Sequence, residues 1–134
     1  MNQHEITRED IDALLQFLPL FEKPGREFAK WGSLERNTDG SLSFPFPVYD
    51  EDVEEFFKLI GQRGWMDFGY KPEEAGRMLA DAEFIKQASL EQVKTMLTYC
   101  VRGERFCDGH RESLLKGGQI VSLLRRLEAI RELM

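Results

Sequence analysis

Cysteine, histidine and long apolar runs are what this sequence has least of. Its two cysteines, Cys100 and Cys107, can form at most one disulfide and do not make a Cys-x-x-Cys pair. That excludes a disulfide-stapled secreted scaffold and a thioredoxin-like redox motif, so free thiols are expected. Its two histidines, His4 and His110, add little to the ligand inventory. Zinc and iron–sulfur sites need paired cysteines or clustered histidines, so neither a metal nor another cofactor is expected. No stretch approaches the roughly 20 apolar residues that cross a bilayer. The opening Met1-Asn-Gln-His-Glu-Ile-Thr-Arg-Glu-Asp10 mixes charges and lacks the apolar core of a secretion signal, which implies a cytoplasmic protein without a membrane partner. No strand-to-helix glycine loop ends in Gly-Lys-Ser/Thr. Lys116-Gly-Gly118 therefore reads as one helix ending and another beginning rather than as a phosphate loop. Internal repeats and low-complexity segments are also missing.

What is present describes an ordinary soluble globule. A chain of 134 residues suits one domain, 1–134, and a globule of this size buries roughly 65 to 70% of its unfolded surface without staples. The net charge of −6 is unevenly spread: residues 1–101 hold 11 Lys/Arg against 19 Asp/Glu, and residues 102–134 hold 7 against 5. An acidic body argues against broad binding to phosphate backbones, while a basic C-terminal surface leaves room for one anionic group.

The periodicity predicts a compact, mainly α fold of about six helices with one proline-containing extended segment or short hairpin. Thr7 and Asp10 resemble a capping pair, followed by Ile11, Leu14, Leu15 and Leu18 on one face, with Pro19 ending the helix. Pro24-Gly25 marks a turn, and Phe28 with Trp31 predicts one or two helical turns after it. Between Gly32 and Asp50 the pattern alternates, with a turn at Asp39-Gly40 and apolar residues at 42, 44, 46 and 48. Pro45 and Pro47 rule out a central strand there. This stretch is read as docking on the chain's own core rather than as a proline-rich ligand. Asp50 is placed as the N-cap of a helix carrying Val53, Phe56, Phe57 and Ile60, with Gly64 as its left-handed C-terminal residue. Trp65, Met66, Phe68 and Tyr70 follow as an aromatic connector assigned to the core. Pro72 starts a helix with Ala75, Met78 and Leu79, and Phe84 and Ile85 add another turn or two. Ser89 and Gln92 form a capping box ahead of Val93, Met96, Leu97, Cys100 and Val101, and Gly103 ends that helix. A short helix spans about 109 to 116. The last helix carries Ile120, Leu123, Leu124, Leu127 and Ile130.

The residues able to do chemistry concentrate in Arg102-Gly-Glu-Arg-Phe-Cys-Asp-Gly-His110, between two helices. Asp108 can accept from an amide at the next helix start, Gly109 permits close backbone approach, and Phe106 can anchor the connection, which is a complete structural explanation. Three functional readings compete with it. Cys107 with His110 could form a nucleophile pair, but no oxyanion loop or orienting third group is recognisable. A metal set of Cys107, His110, Cys100, Asp108 and His4 lacks ligand spacing. The most economical is an anion site, with Arg102, Arg105 and His110 around the amides that follow Asp108. The candidate ligand site is thus Arg102, Arg105, Cys107, Asp108, Gly109 and His110, with catalytic residues unassigned. Arg125, Arg126 and Arg131 could touch nucleic acid, but interspersed Glu128 and Glu132 favour a solvated helix face.

Leu97-Thr98, Val101-Arg102, Arg105-Phe-Cys-Asp-Gly-His110, Gly118-x-Ile120 and Leu124-x-Arg-Leu127 together resemble domain-of-unknown-function family 6508, a bacterial and phage-associated group. Pro45-Phe-Pro-Val-Tyr49 and the stretch from Phe56 to Trp65 extend the resemblance over roughly 45–127. It implies a helical domain, sometimes encoded in mobile DNA, and supplies neither an activity nor catalytic residues. Arg111 stands where the pattern has a more apolar residue. The sequence therefore favours a non-enzymatic interaction or regulatory domain with an unidentified protein partner, a homodimer also being compatible. The alternative is an anion-binding protein or enzyme centred on Arg105 to His110. A nucleic-acid accessory role comes third.

Overall fold

The computed structural model describes the backbone of residues 5–31, 35–36, 38–40, 42–43, 47–62, 64–105 and 109–134, with side chains throughout except at 35, 36, 42, 43 and 105. The architecture is mainly α. Helices α1 (Arg8–Leu15) and α2 (Leu18–Phe21) lead into strand β1 (Ala29–Trp31), a hairpin of β2 (Glu35–Arg36) and β3 (Leu42–Ser43), and strand β4 (Pro47–Tyr49). Five longer or better-packed helical segments then follow, namely α3 (Glu51–Ile60), α4 (Pro72–Leu79), α5 (Ala82–Gln87), α6 (Leu90–Arg102) and α7 (His110–Lys116), before the terminal α8 (Gln119–Glu132). A 3-10 turn, Gly103–Arg105, extends α6.

Both capping boxes form. The Thr7 hydroxyl accepts from the Asp10 amide while the Asp10 carboxylate accepts from the Thr7 amide, and Ser89 and Gln92 exchange the same pair of bonds. Each box satisfies donors that a helix start leaves orphaned. The core is one apolar cluster in which Ile120, Leu123, Leu124 and Leu127 of α8 have no exposed surface. Full burial of each such side chain contributes about 1.5 to 3 kcal/mol, so α8 is the main organiser of the fold. It packs against α1, α2, α5, α6 and α7. Phe17, Phe21, Phe56 and Phe57 form an aromatic group, mostly edge to face, that joins α2 and its N-cap to α3.

Several expected boundaries shift. Pro19 does not end the first helix; α1 stops at Leu15, and Pro19 sits in the first turn of α2, where its missing N–H costs nothing. The helical turns expected around Phe28 and Trp31 are instead β1, paired antiparallel with β4 so that Ala29 faces Tyr49, Lys30 faces Val48 and Trp31 faces Pro47. A partner strand remote in sequence overrides the local pattern. Pro47 is compatible because both strands of this ribbon are edges. Helix α3 ends at Ile60 with Gly61, in the right-handed region, as C-cap, three residues ahead of Gly64. Asp50 occupies the N-cap position of α3, but its side chain makes no capping bond and pairs with Arg26. The aromatic connector is divided: Trp65 is buried, whereas Phe68 is 63% exposed. Phe44, Pro45, Phe46 and Phe106 lie outside the described residues.

Candidate functional site at the start of α7

Helix α7 begins where the chain leaves the 3-10 turn, and its opening amides are occupied by the chain itself. One carboxylate oxygen of Glu104 accepts from the Gly109 amide at 2.9 Å, and the other accepts from the Arg111 amide at 2.9 Å. The same carboxylate accepts from the Tyr49 hydroxyl at 3.0 Å, and that hydroxyl accepts from the Glu112 amide at 3.1 Å. Three amides at the helix start thus end on Glu104 and Tyr49. A carboxylate beside the positive end of a helix is electrostatically favourable, and three charge-assisted bonds hold it in place. Burial pushes the Tyr49 phenol well above its usual range, so it remains a donor.

Gly109 precedes α7 with φ +87°, in the left-handed region, and a Cβ there would lie 2.8 Å from the Trp31 ring. Glycine is required for conformation and for space. Trp31 also donates its indole N–H to Glu112 at 2.9 Å, which ties the β1–β4 ribbon to the same helix end.

His110 packs into the junction rather than out of it. Its ring lies edge-on to Tyr99 at 5.0 Å between centroids. Its Nε2 is buried without a partner among the described residues. Desolvation holds its pKa below the ordinary value, more than the Tyr99 carbonyl and Glu104 raise it. A Cβ on Gly103 would come within 2.3 Å of Nε2, so this glycine is needed for space, its φ of −62° being open to any residue.

Arg111 replaces the apolar residue expected at its position by using its guanidinium flat. The group lies over the Phe57 ring at 4.6 Å and donates to the Val101 carbonyl at 2.9 Å, near the C-terminal end of α6. It borders a shallow cleft of about 420 Å³ whose other walls include Glu51, Glu54, Glu55 and Lys58, so three carboxylates face two cations there. Cys100 has no exposed surface, and burial pushes its thiol up to about 12, which agrees with its reading as a small hydrophobe.

Of the six candidate ligand residues, Gly109 and His110 meet at the junction. Arg102 stands at the end of α6, where its guanidinium lies 5.8 Å from the Phe68 ring centroid and 5.5 Å from that of Tyr70. The Arg105 side chain, Cys107 and Asp108 lie outside the described residues, as does His4. Among the described residues no three His, Cys, Asp or Glu side chains gather as a metal set. Glu104 is the residue to which sequence reading gave no role. Its signal was a carboxylate placed just before a left-handed glycine and a helix start, within reach of that helix's amides.

The three arginines of α8 are engaged within the fold. Arg125 pairs with Glu22 at 2.6 Å, Arg126 donates to the Ala88 carbonyl at 2.7 Å, and Arg131 pairs with Asp12. Among the described residues, no helix is long and apolar enough to cross a membrane.

The model of the family described as "Family of unknown function (DUF6508)" matches residues 6–133. The chain belongs to this family. The match runs beyond the 45–127 stretch that carries the visible motif and takes in α1 and the end of α8, so the family's pattern spans the elements that build the core. No curated protein and no solved structure matches the chain.

Proposed function

We propose that this chain is a non-enzymatic interaction or regulatory domain, one folded unit over residues 1–134, working in the cytoplasm of a bacterium or in the service of a mobile element. The observation that carries the reading is the Glu104 carboxylate on the amides that open α7. A bound anion would need those donors, and an activated Cys107 thiolate would need that helix field. Glu104 uses the donors and offsets the field. His110 adds to the case, since its ring packs on Gly103 and Tyr99 with Nε2 buried. Surface aromatics supply what a binding domain needs: Phe68 and Trp31 are 63% and 46% exposed.

The test is affinity capture from cells that naturally make the protein, using the wild-type chain and a folded Arg105→Ala control, followed by reconstitution from purified components. A protein partner that reassembles stoichiometrically with the wild-type chain is the expected result. Turnover of general hydrolase or transferase substrates that disappears in Cys107→Ala with folding intact overturns the reading. Sedimentation of the chain alone checks whether a second copy serves as the partner.

A further inference from the structure

The connector between α3 and α4 is pinned to α6 by one residue. The Asp67 amide donates to the Thr98 hydroxyl at 2.8 Å, and the Thr95 hydroxyl donates to the Asp67 carboxylate at 2.7 Å. The other carboxylate oxygen accepts from the Gly69 amide at 3.0 Å, and the Asp67 carbonyl accepts from the Tyr70 amide at 3.2 Å. Thr98 has no exposed surface, so the anchor sits in the core. Four bonds around Asp67 therefore hold the turn that carries Phe68 and Tyr70 beside the end of α6.

Arg102 stands between these two rings. Among the described residues it has no carboxylate and no hydrogen-bond acceptor, as is also true of Arg8 and Arg77, whereas Arg26, Arg111, Arg125, Arg126 and Arg131 each have one. Among the described residues its planar donors meet no acceptor, while its guanidinium carbon lies 5.8 and 5.5 Å from the two ring centroids. Phe68 is 63% exposed on a turn that cannot easily fold it inward. An arginine with an exposed aromatic beside it is the composition of a protein-binding hot spot, and a turn held in advance lowers the ordering cost of binding.

We infer that Arg102, Phe68 and Tyr70 dock an acidic segment of a partner protein, a carboxylate meeting the Arg102 guanidinium and a neighbouring apolar side chain covering the Phe68 ring. This rests on the interaction reading above and names the partner's chemistry. The fork of guanidinium donors matches a carboxylate in two-point geometry. A polyanion fits worse, because many phosphates would meet a chain of net charge −6.

The test selects random linear peptides displayed on phage against the purified full chain, then measures the enriched peptides, synthesised singly, against wild type, Arg102→Gln and Phe68→Ser. The expected result is enrichment of sequences pairing Asp or Glu with an aromatic or aliphatic residue. Their binding should weaken about tenfold or more in Arg102→Gln, and similarly when the peptide carboxylate becomes an amide. Phe68→Ser, at an exposed position, should weaken binding with the melting temperature unchanged, which keeps the test valid if Arg102→Gln fails to fold. Enriched peptides that bind both variants like wild type overturn this site while leaving the interaction reading standing. Failure to enrich any acidic peptide overturns the site as well. A mixed-sequence single-stranded oligonucleotide retained through Arg102 and Phe68 overturns it in favour of nucleic acid. Absence of any partner in the native capture is the separate failure of the interaction reading.

Discussion

Gly103 and His110 carry the tightest steric relation at the junction. The His110 ring occupies the space above Gly103 and lies edge-on to Tyr99, so Gly103→Ala must displace the ring from that contact. A loss of about 1 to 3 kcal/mol, measured by denaturant unfolding, is expected from such overpacking. The same burial makes His110 a source of pH dependence. Its folded pKa is lowered from an ordinary value of about 6.5, so the unfolded chain takes up the proton first as pH falls. The contribution is fully present above about pH 6.5 and is lost as pH falls through the folded value. Glu104 opposes the shift and Arg111 reinforces it. Unfolding free energies should decline from about pH 7.5 to 5.5 more steeply in wild type than in His110→Gln; equal slopes would contradict this. The sequence displayed Gly103, Gly109 and His110 as unusual but not their reasons. A glycine needed for space at φ −62° has no local signature, because the ring it accommodates arrives from seven residues away. Glu104 was obscured for a related reason: its three partners, Gly109, Arg111 and Tyr49, converge only when α7 turns back and β4 is in place.

Among the elements, the joint between β1 and α3 depends most on one side chain. Arg26 donates to both carboxylate oxygens of Asp52 at 2.8 and 2.6 Å, to Asp50 at 3.2 Å and to the Leu20 carbonyl at 3.1 Å, with its guanidinium 4.8 Å from the Phe28 ring centroid. Arg26 thereby fixes α2, the approach to β1 and the first turn of α3 in one arrangement. Arg26→Ala should cost about 2 to 3 kcal/mol by chemical denaturation, the range for charge-assisted bonds at a half-buried site. The hydrogen bonds from Arg26 hold the Asp52 carboxyl below its ordinary range. Stability from this pair is present above about pH 3.9 and is lost as pH falls through the folded value, so the acid limb of the stability curve should flatten in the variant. Elements defined by their own periodicity were legible in advance, including α3, α6, α8 and both capping boxes. Those defined by a distant partner were not: Ala29–Trp31 is a strand because Pro47–Tyr49 lies beside it, and Phe68 is exposed because Asp67 is tied to Thr95 and Thr98.

For the whole molecule, the charge asymmetry of the sequence becomes a packing device. Basic α8 crosses the acidic body with Arg125 on Glu22 and Arg131 on Asp12, while its apolar face fills the core. Part of the excess positive charge near the C-terminus, visible from composition, is thus met by the chain's own carboxylates. The other feature visible from the start is the segment from Arg102 to His110, at whose helix end the anion is Glu104. Thermal unfolding of wild type and Glu104→Ala during acetate titration, at constant ionic strength, tests this most directly. Removing the carboxylate strands the Gly109 and Arg111 amides and the Tyr49 hydroxyl, an expected loss of about 2 to 4 kcal/mol. Acetate should restore part of that loss saturably in Glu104→Ala and leave wild type unchanged. Saturable stabilisation of wild type by acetate, with no rescue of the variant, would mean that the helix end is an open anion site and would contradict the account.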